Sequence, residues 1–528
     1  MKRFINIVLL SLITLAIPSC SDWLGVEPED GVTRQEYWKT KEEVKSALNG
    51  CYASMIDDNM MLSYLLWGEM RADFVAPSSK ATAEIIAIRN GEIVASNNYV
   101  KWEYLYTTIN QCNTVIELAP LALKIDLSFS EKLMKQYQAE AVCVRSLMYF
   151  YLLRTFRDAP YVVKASIYDD QNYTPAKMPQ AELLEHLVAD LQSVENDLPF
   201  SYNTLVESKG RFTRWGLKAL LADIYLWKQD YAACNELCTQ IIESGQFSLL
   251  SVRRDQGTAL DDNGETVPVY FANKNNVNEL FYKMYVEGNS TESIFELQFG
   301  TDKSNPMVKW LQPISGYLVA KTDELGKFYP RSDLDNQWRD IRTDFAWKSE
   351  SVWKWIGLSA NGAIYRSTNS SYCNWIFYRL ADIMLMKAEA LTQQAIATND
   401  QNKLTAALAL VQTIRDRSNA TETSSYNYLY GSENAALSSK SMEEFILNER
   451  ARELAFEGKR WFDIVRYVER DNYRNLAYMS QLAIRSTIPE KVSILQKKWL
   501  NNMGSHYLPI YIEEIRMNKN LEQNEFYK

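Results

Sequence analysis

The sequence predicts a mainly α fold, and three observations predict it. Apolar residues recur at helical spacing through most of the 528 residues. Two helical hairpins, at 213–244 and 375–417, share a tetrapeptide in their first helices, Leu221-Ala-Asp-Ile224 and Leu380-Ala-Asp-Ile383. The stretch from about 248 to 375 departs from this pattern, with Asn, Gly, Ser and Asp clusters between short apolar runs. A chain of this length can bury a large core, as one big domain or several.

In chain order, Lys2 and Arg3 precede a mostly apolar run, Phe4 to Ile17, too short for a comfortable membrane span. Ile17-Pro-Ser-Cys20 then looks like a bacterial lipobox. The expectation is a signal peptide over 1–19, cleavage before Cys20, and acylation of its thiol and new amino group. Several acyl chains exceed the two signals that stable anchoring requires.

Helices are predicted over Thr40–Met55, Trp102–Leu118 and Ser130–Phe156, the last stopping before Asp158-Ala-Pro160. Pro179–Asp197 follows, then the hairpins Thr213–Lys228 with Tyr231–Ser244 and Trp375–Gln394 with Gln401–Arg417. Together these resemble tetratricopeptide-type pairs, at an irregular period because long insertions separate them. Trp67 to Phe74 reads as a strand-like run before a Pro-Ser-Ser turn.

The 248–375 insertion holds Trp310, Trp338, Trp347, Trp353, Trp355 and Trp375, six of the 14 tryptophans, with little helical periodicity. Loops on a rigid scaffold are where binding residues concentrate. Residues 419–442 form a second loop insertion, rich in Ser, Asn and Tyr.

Glu443 to Tyr467 is the most charge-dense helical stretch. Leu447, Ala451, Leu454, Ala455 and Gly458 line one apolar stripe. Glu449 and Arg452, and Arg450 and Glu453, are three apart and can pair. Gly458 is expected to end this helix, and a second helix to bury Trp461, Phe462, Ile464 and Val465. So many charged heads near packed surface need specific partners. Glu449, Arg450, Glu453, Glu457, Arg460 and Asp463 therefore read as a structural network joining the last helices to the paired helices.

The formal charge is −9, and two units more negative without Lys2 and Arg3. An acidic chain with no basic run is a poor partner for nucleic acid or anionic headgroups. Two histidines, His186 and His506, stand in no motif, which argues against His-based triads and multi-His zinc sites. Six cysteines beyond Cys20 sit mostly in apolar helical patterns, and Cys234 and Cys238 lack further ligands nearby, so no metal or cofactor is expected. A secreted glycoside hydrolase would need two carboxylates flanking a cleft, and no motif singles out an acid and a base.

Several further segments occur in order along the chain. They are Trp23-Leu-Gly-Val-Glu-Pro28 after the lipobox, Ala47-Leu-Asn-Gly-Cys-Tyr52, Asn110-Gln-Cys-Asn113 and Arg154-Thr-Phe-Arg-Asp-Ala-Pro160. Later come Arg379-Leu-Ala-Asp-Ile-Met-Leu-Met-Lys-Ala-Glu-Ala390, Ile414-Arg-Asp-Arg417, Glu449 to Asp463, and Leu508-Pro-Ile with Asn520-Leu-Glu-Gln-Asn524. In this order the chain resembles the SusD/RagB family of Bacteroidetes outer-membrane nutrient-binding lipoproteins. The resemblance implies four tetratricopeptide-like helix pairs (about 40–247 and 376–418), a loop-rich, irregular ligand-binding half (about 248–375), and a C-terminal segment (about 419–528). It implies no catalysis, an oligosaccharide ligand (a peptide in some members), and a SusC-like TonB-dependent transporter as partner. It also implies a surface-exposed place on the outer membrane, held by lipid on Cys20.

Sugar rings stack on Trp or Tyr and their hydroxyls need planar polar partners. Two segments fit. The first offers Trp67, Arg71 and Asp73, with Asp57 on a preceding turn; Asp73 leads because related family members often place an acidic site residue there. The second, Trp353 to Trp375, offers Trp353, Trp355, Arg366 and Tyr372, with Asn374 beside them. A tetratricopeptide adaptor for proteins is disfavoured by the lipobox and the Trp-rich insertion.

Overall fold

A computed structural model describes residues 37–528, except 168–170, 253, 261–263, 273, 330–339, 361, 363, 370 and 421–438. Cys20 and its lipobox, Trp338 and most of the 419–442 insertion lie outside the described residues.

The scaffold is built from helices α1 (Lys41–Met55), α2 (Asp58–Leu65), α3 (Glu103–Ile125), α4 (Glu131–Phe156) and α5 (Gln180–Val194). After them come α6 (Arg214–Trp227), α7 (Tyr231–Glu243), α8 (Leu380–Thr398) and α9 (Gln401–Arg417). Caps set the helix starts. Thr40 accepts from Glu43 N while the Glu43 carboxylate takes the Thr40 N–H at 2.7 Å, a reciprocal capping box. Ser130, Thr213, Asp230 and Asp400 cap α4, α6, α7 and α9 through their side-chain oxygens.

These helices pack in series: α1 on α3, α3 on α4, α4 on α5, α5 on α6, α6 on α7, α7 on α8 and α8 on α9. The result is four consecutive pairs, each burying its apolar face against the next. From Ala139 to Phe156 every residue of α4 is buried, so it forms a column packed all round rather than an amphipathic surface helix.

The strands are short and come in three antiparallel pairs. β1 (Val75–Pro77) pairs with β5 (Leu318–Ala320), β2 (Arg254–Leu260) with β3 (Thr266–Ala272), and β4 (Ser293–Leu297) with β6 (Trp375–Arg379). β6 corrects the expectation of a helix from Trp375: the helix begins only at Leu380. Trp375 to Tyr378 are β-branched or aromatic and buried on both faces, so no alternation distinguishes strand from helix in the sequence. The Trp67–Phe74 run is likewise not a strand. Leu66–Met70 forms a π-helical turn, and β1 starts at Val75. That turn brings Gly68 against the Gly458 backbone so tightly that a Cβ would fall 1.9 Å from the Gly458 carbonyl oxygen.

Glu69 sits buried in this turn. Its Oε1 accepts from Gly458 N at 2.9 Å and Lys459 N at 3.3 Å, while Oε2 has no partner among the described residues. Burial pushes its carboxyl from the usual 4.5 up to about 8, against the pull of the two N–H groups. The unfolded chain releases that proton first, so the group's contribution to stability is lost as pH rises towards 8. Glu69→Gln is expected to leave the melting temperature unchanged at pH 5 and to raise it near pH 8. Parallel melting curves for the two proteins over that range would contradict the assignment.

The charge-dense stretch forms α10 (Ser439–Glu453) and α11 (Arg460–Tyr473). α10 ends five residues before Gly458, which has φ +72°. The network is buried and extensive. Glu453 accepts from Arg379 at 2.6 Å, Arg342 at 2.8 Å and Arg417. Glu449 accepts from Arg342 at 2.7 Å and from Arg452 Nε at 2.9 Å, the pair expected from spacing. The other expected pair does not form: Arg450 binds Asp382 and Asp463, each at 2.9 Å. Burial alone would raise these carboxyls, but Arg342 and Arg452 hold Glu449 down to about 2.

Candidate functional site

Seven of the sequence-predicted ligand residues are buried and already engaged, among them Asn374, which donates to Glu296 at 3.0 Å and accepts from Phe299 N at 3.1 Å. Trp67 Nε1 donates to the Tyr99 carbonyl at 2.8 Å. Arg71 gives two 2.6 Å bonds to the His506 and Ser505 carbonyls and lies 4.0 Å over the Trp461 ring. Asp73, with no exposed surface, accepts from Arg460 at 2.9 and 3.0 Å and from Arg485 at 3.2 Å. Burial would raise its carboxyl, yet these guanidiniums hold it well below the usual carboxylate range. Trp353 donates to the Ser359 carbonyl at 2.7 Å, and Trp355 to the Phe456 carbonyl at 2.8 Å while stacking on Trp375. Arg366 binds the Gly357 and Tyr285 carbonyls at 2.9 and 2.6 Å. A sugar cannot reach these side chains without unpacking the core, so their position argues for scaffold roles. The aromatic density of the insertion comes from its own packed interior.

Asp57 and Tyr372 are the two exposed candidates, and the fold brings their segments together. Asp57 caps α2 by accepting from Asn59 N at 2.9 Å. It also lines an open cavity of about 430 Å3 with Ser54, Tyr104, Thr107 and Lys303. Lys303 Nζ meets Asp58 at 2.5 Å, fixing the 303–305 segment beside α2. That segment is in turn strapped to the Tyr372 loop. Ser304 donates to the Asn369 carbonyl at 3.1 Å, and Asn305 gives its N–H to the Ser371 carbonyl at 2.8 Å and its amide to the Cys373 carbonyl at 2.7 Å.

Tyrosines rather than tryptophans present ring surface here. Tyr372 is 40% exposed, Tyr365 43% and Tyr282 48%. Tyr365 packs edge-on against buried Trp353 at 5.2 Å, which sets its ring on a firm base. The Tyr282 segment is tied to the same loop by the Arg366–Tyr285 bond and by Ala360 N donating to Asn278 at 2.8 Å. Tyr365 lies within the flagged Trp353–Trp375 segment. Tyr282, Tyr104 and Lys303 carried no signal in the sequence, because only the fold juxtaposes them. Asp57 is the only carboxylate lining this cavity among the described residues. No group of three or more potential metal ligands is found among the described residues. No helix among them is long and apolar enough to cross a membrane.

Serial helix pairs with a loop-rich insertion that exposes tyrosine rings define a helical-repeat scaffold. Residues 335–527 match a family model described as "SusD family", and residues 22–226 match one described as "Starch-binding associating with outer membrane". The chain belongs to the SusD-like family. A SusD-like protein of Formosa agariphila, P38, is 27% identical over 499 residues, covering 88% of this chain and 92% of that protein. A SusD-like protein of Bacteroides ovatus is 24% identical and covers 88% of this chain and 83% of that one. Among solved structures, a SusD superfamily protein of Bacteroides vulgatus superposes with a TM-score of 0.70 at 18% identity, covering 93% of this chain and all of that one. A SusD-like carbohydrate binding protein of Bacteroides fragilis gives 0.64 at 18% identity, covering 92% and 100%. At these identities the superpositions establish the fold.

Proposed function

We propose that this chain is a non-catalytic, cell-surface glycan-binding lipoprotein. It is anchored in the outer membrane through lipid on Cys20, captures oligosaccharide, and passes it to a SusC-like TonB-dependent transporter. The observation that carries the ligand reading is the set of exposed tyrosines, Tyr365 and Tyr372 on the loop strapped to the 303–305 segment and Tyr282 on a π-helical turn tied to that loop, while Lys303 of the same segment lines an open cavity. Sugar C–H faces stack on such rings, and Asp57, Tyr104 and Lys303 offer acceptors and donors for hydroxyls. Membership of a family that includes starch-binding, outer-membrane-associating proteins supports the glycan and the location.

A glycan array followed by calorimetry tests the reading. Tyr365→Ala and Tyr372→Ala are each expected to weaken binding by about 2- to 12-fold, from the roughly 0.5–1.5 kcal/mol an aromatic contact supplies. Both substitutions are at exposed positions, so unfolding stability should change by no more than about 0.5 kcal/mol. Unaltered affinity in the double variant would move the ligand elsewhere. Sustained release of reducing ends would end the non-catalytic reading, and selective capture of peptides would change the ligand class.

A further inference from the structure

A second and larger cavity, about 770 Å3, opens where the end of α4, the start of α5 and the C-terminal segment meet. Its size falls within the roughly 300–1,000 Å3 of ligand pockets, and none of the tyrosine-face residues lines it. Its wall is polar and held still. Asn524 donates to the Phe156 and Leu508 carbonyls at 3.2 and 2.6 Å, and Gln523 bridges both backbone groups of Ile510 at 2.8 Å. Gln180 donates its amide to the Leu153 carbonyl at 3.0 Å, which leaves its amide oxygen as an acceptor. Asn501 adds another amide at the rim.

Arg157 is the unusual residue on this wall. It follows α4 at φ +73° and ψ −73°, with Asp158 N donating to the Phe156 carbonyl at 3.1 Å. This is a γ-turn in its rare, positive-φ form, a conformation that glycine tolerates and arginine does not readily adopt. Strain of this kind persists only where the surrounding structure holds it, and it clusters at ligand clamps and active sites. The Arg157 guanidinium makes no ion pair or hydrogen bond among the described residues; the Tyr507 ring lies 5.9 Å away. The carboxylates nearby are mostly committed. Asp158 accepts from Gln180 N at 2.9 Å, Glu469, whose charge also acts on Arg157, from Tyr507 Oη at 2.7 Å, and Glu522 from Lys528 at 3.2 Å, leaving exposed Glu525 at the rim. Lys177, part-buried, donates to Asn524 at 3.4 Å.

We propose that this cavity is a second saccharide site, selective for a sugar acid of the uronate class. The planar fork of Arg157 matches a carboxylate in a bidentate pair, and the amides of Gln180 and Asn501 take ring hydroxyls. The lining carries three cations and three carboxylates, so a singly charged ligand suits it better than a phosphate dianion. The site is separate from the tyrosine face, and neither reading depends on the other.

Calorimetric titration of the full chain with glucuronic acid, glucose and inorganic sulfate tests the proposal. Glucuronate should bind at least about tenfold more tightly than glucose or sulfate. Arg157→Gly should abolish this binding while leaving the melting temperature equal or higher, because glycine relieves the strained turn. The Tyr365→Ala/Tyr372→Ala double variant should bind glucuronate as the parent does. Equal binding of glucuronate and glucose, equal binding of sulfate, or retained binding in Arg157→Gly would each overturn the proposal. Loss of glucuronate binding in the tyrosine double variant would do so too, by assigning the sugar acid to the other face.

Discussion

Glu453→Ala is expected to lower the unfolding free energy by about 3–5 kcal/mol, the usual consequence of removing one partner from a buried ion pair. The side chain is buried and takes bonds from Arg342, Arg379 and Arg417, which come from the insertion, β6 and α9. Without it, three guanidiniums face one another across a low-dielectric space. Their remaining partners, Asp340, Glu449, Glu292 and Glu457, also serve Arg415, Arg452 and Lys354, so four carboxylates are left facing six cations. Glu279→Ala is the control: its pair with Lys283 is exposed, and its loss should cost no more than about 0.5 kcal/mol. The same network gives an acid signature. Burial raises the carboxyls, but the arginines and Lys459 win, holding Asp382, Glu389 and Glu449 at about 2. Depressed groups contribute stability above their unfolded value near 4.5 and lose it as pH falls towards 2. Denaturant midpoints should therefore drop steeply between about pH 4.5 and 2, and less steeply in Glu453→Ala. Parent-like stability in the variant would remove the network from its structural role.

The helix pairs were legible because local chemistry announces them. Thr40, Ser130, Thr213 and Asp400 stand at helix starts as caps, and the apolar spacing behind them is helical over the whole element. β6 was not legible, since a strand buried on both faces has no period to read. The charge network divides in the same way. Glu449 and Arg452 pair along α10 as spacing suggests, whereas Arg450 turns away from Glu453 to Asp382, distant in sequence. On a buried helix, partners come from whatever element packs against that face. The ligand candidates fared likewise. Trp353 and Trp355 stand in a loop-rich segment yet form its interior, and the ring left at the surface is Tyr365, set edge-on against Trp353 from outside. Composition marks a segment as aromatic; it does not say which side of each ring meets water.

Asp73→Ala separates the two roles this residue could have. In a ligand site it would cost affinity and little else. The structure gives it a different setting, with no exposed surface and both carboxylate oxygens on Arg460 and Arg485. Arg460 opens α11, and Arg485 belongs to the helix Tyr478–Ser486, so Asp73 ties the segment before β1 to two C-terminal elements. Its removal leaves Arg460 buried beside Phe74 and Phe328, with Tyr478 Oη at 3.1 Å and the Leu447 carbonyl as remaining partners. Neither partner is anionic, so the charge stays uncompensated. A stability loss of about 3–5 kcal/mol is expected, read from denaturant unfolding. Glycan affinity, measured at a temperature where both proteins are folded, should stay within about twofold of the parent, since additive effects are the rule for sites without shared partners. Full stability with lost affinity would return Asp73 to the ligand and require the 73–75 backbone to open when glycan binds.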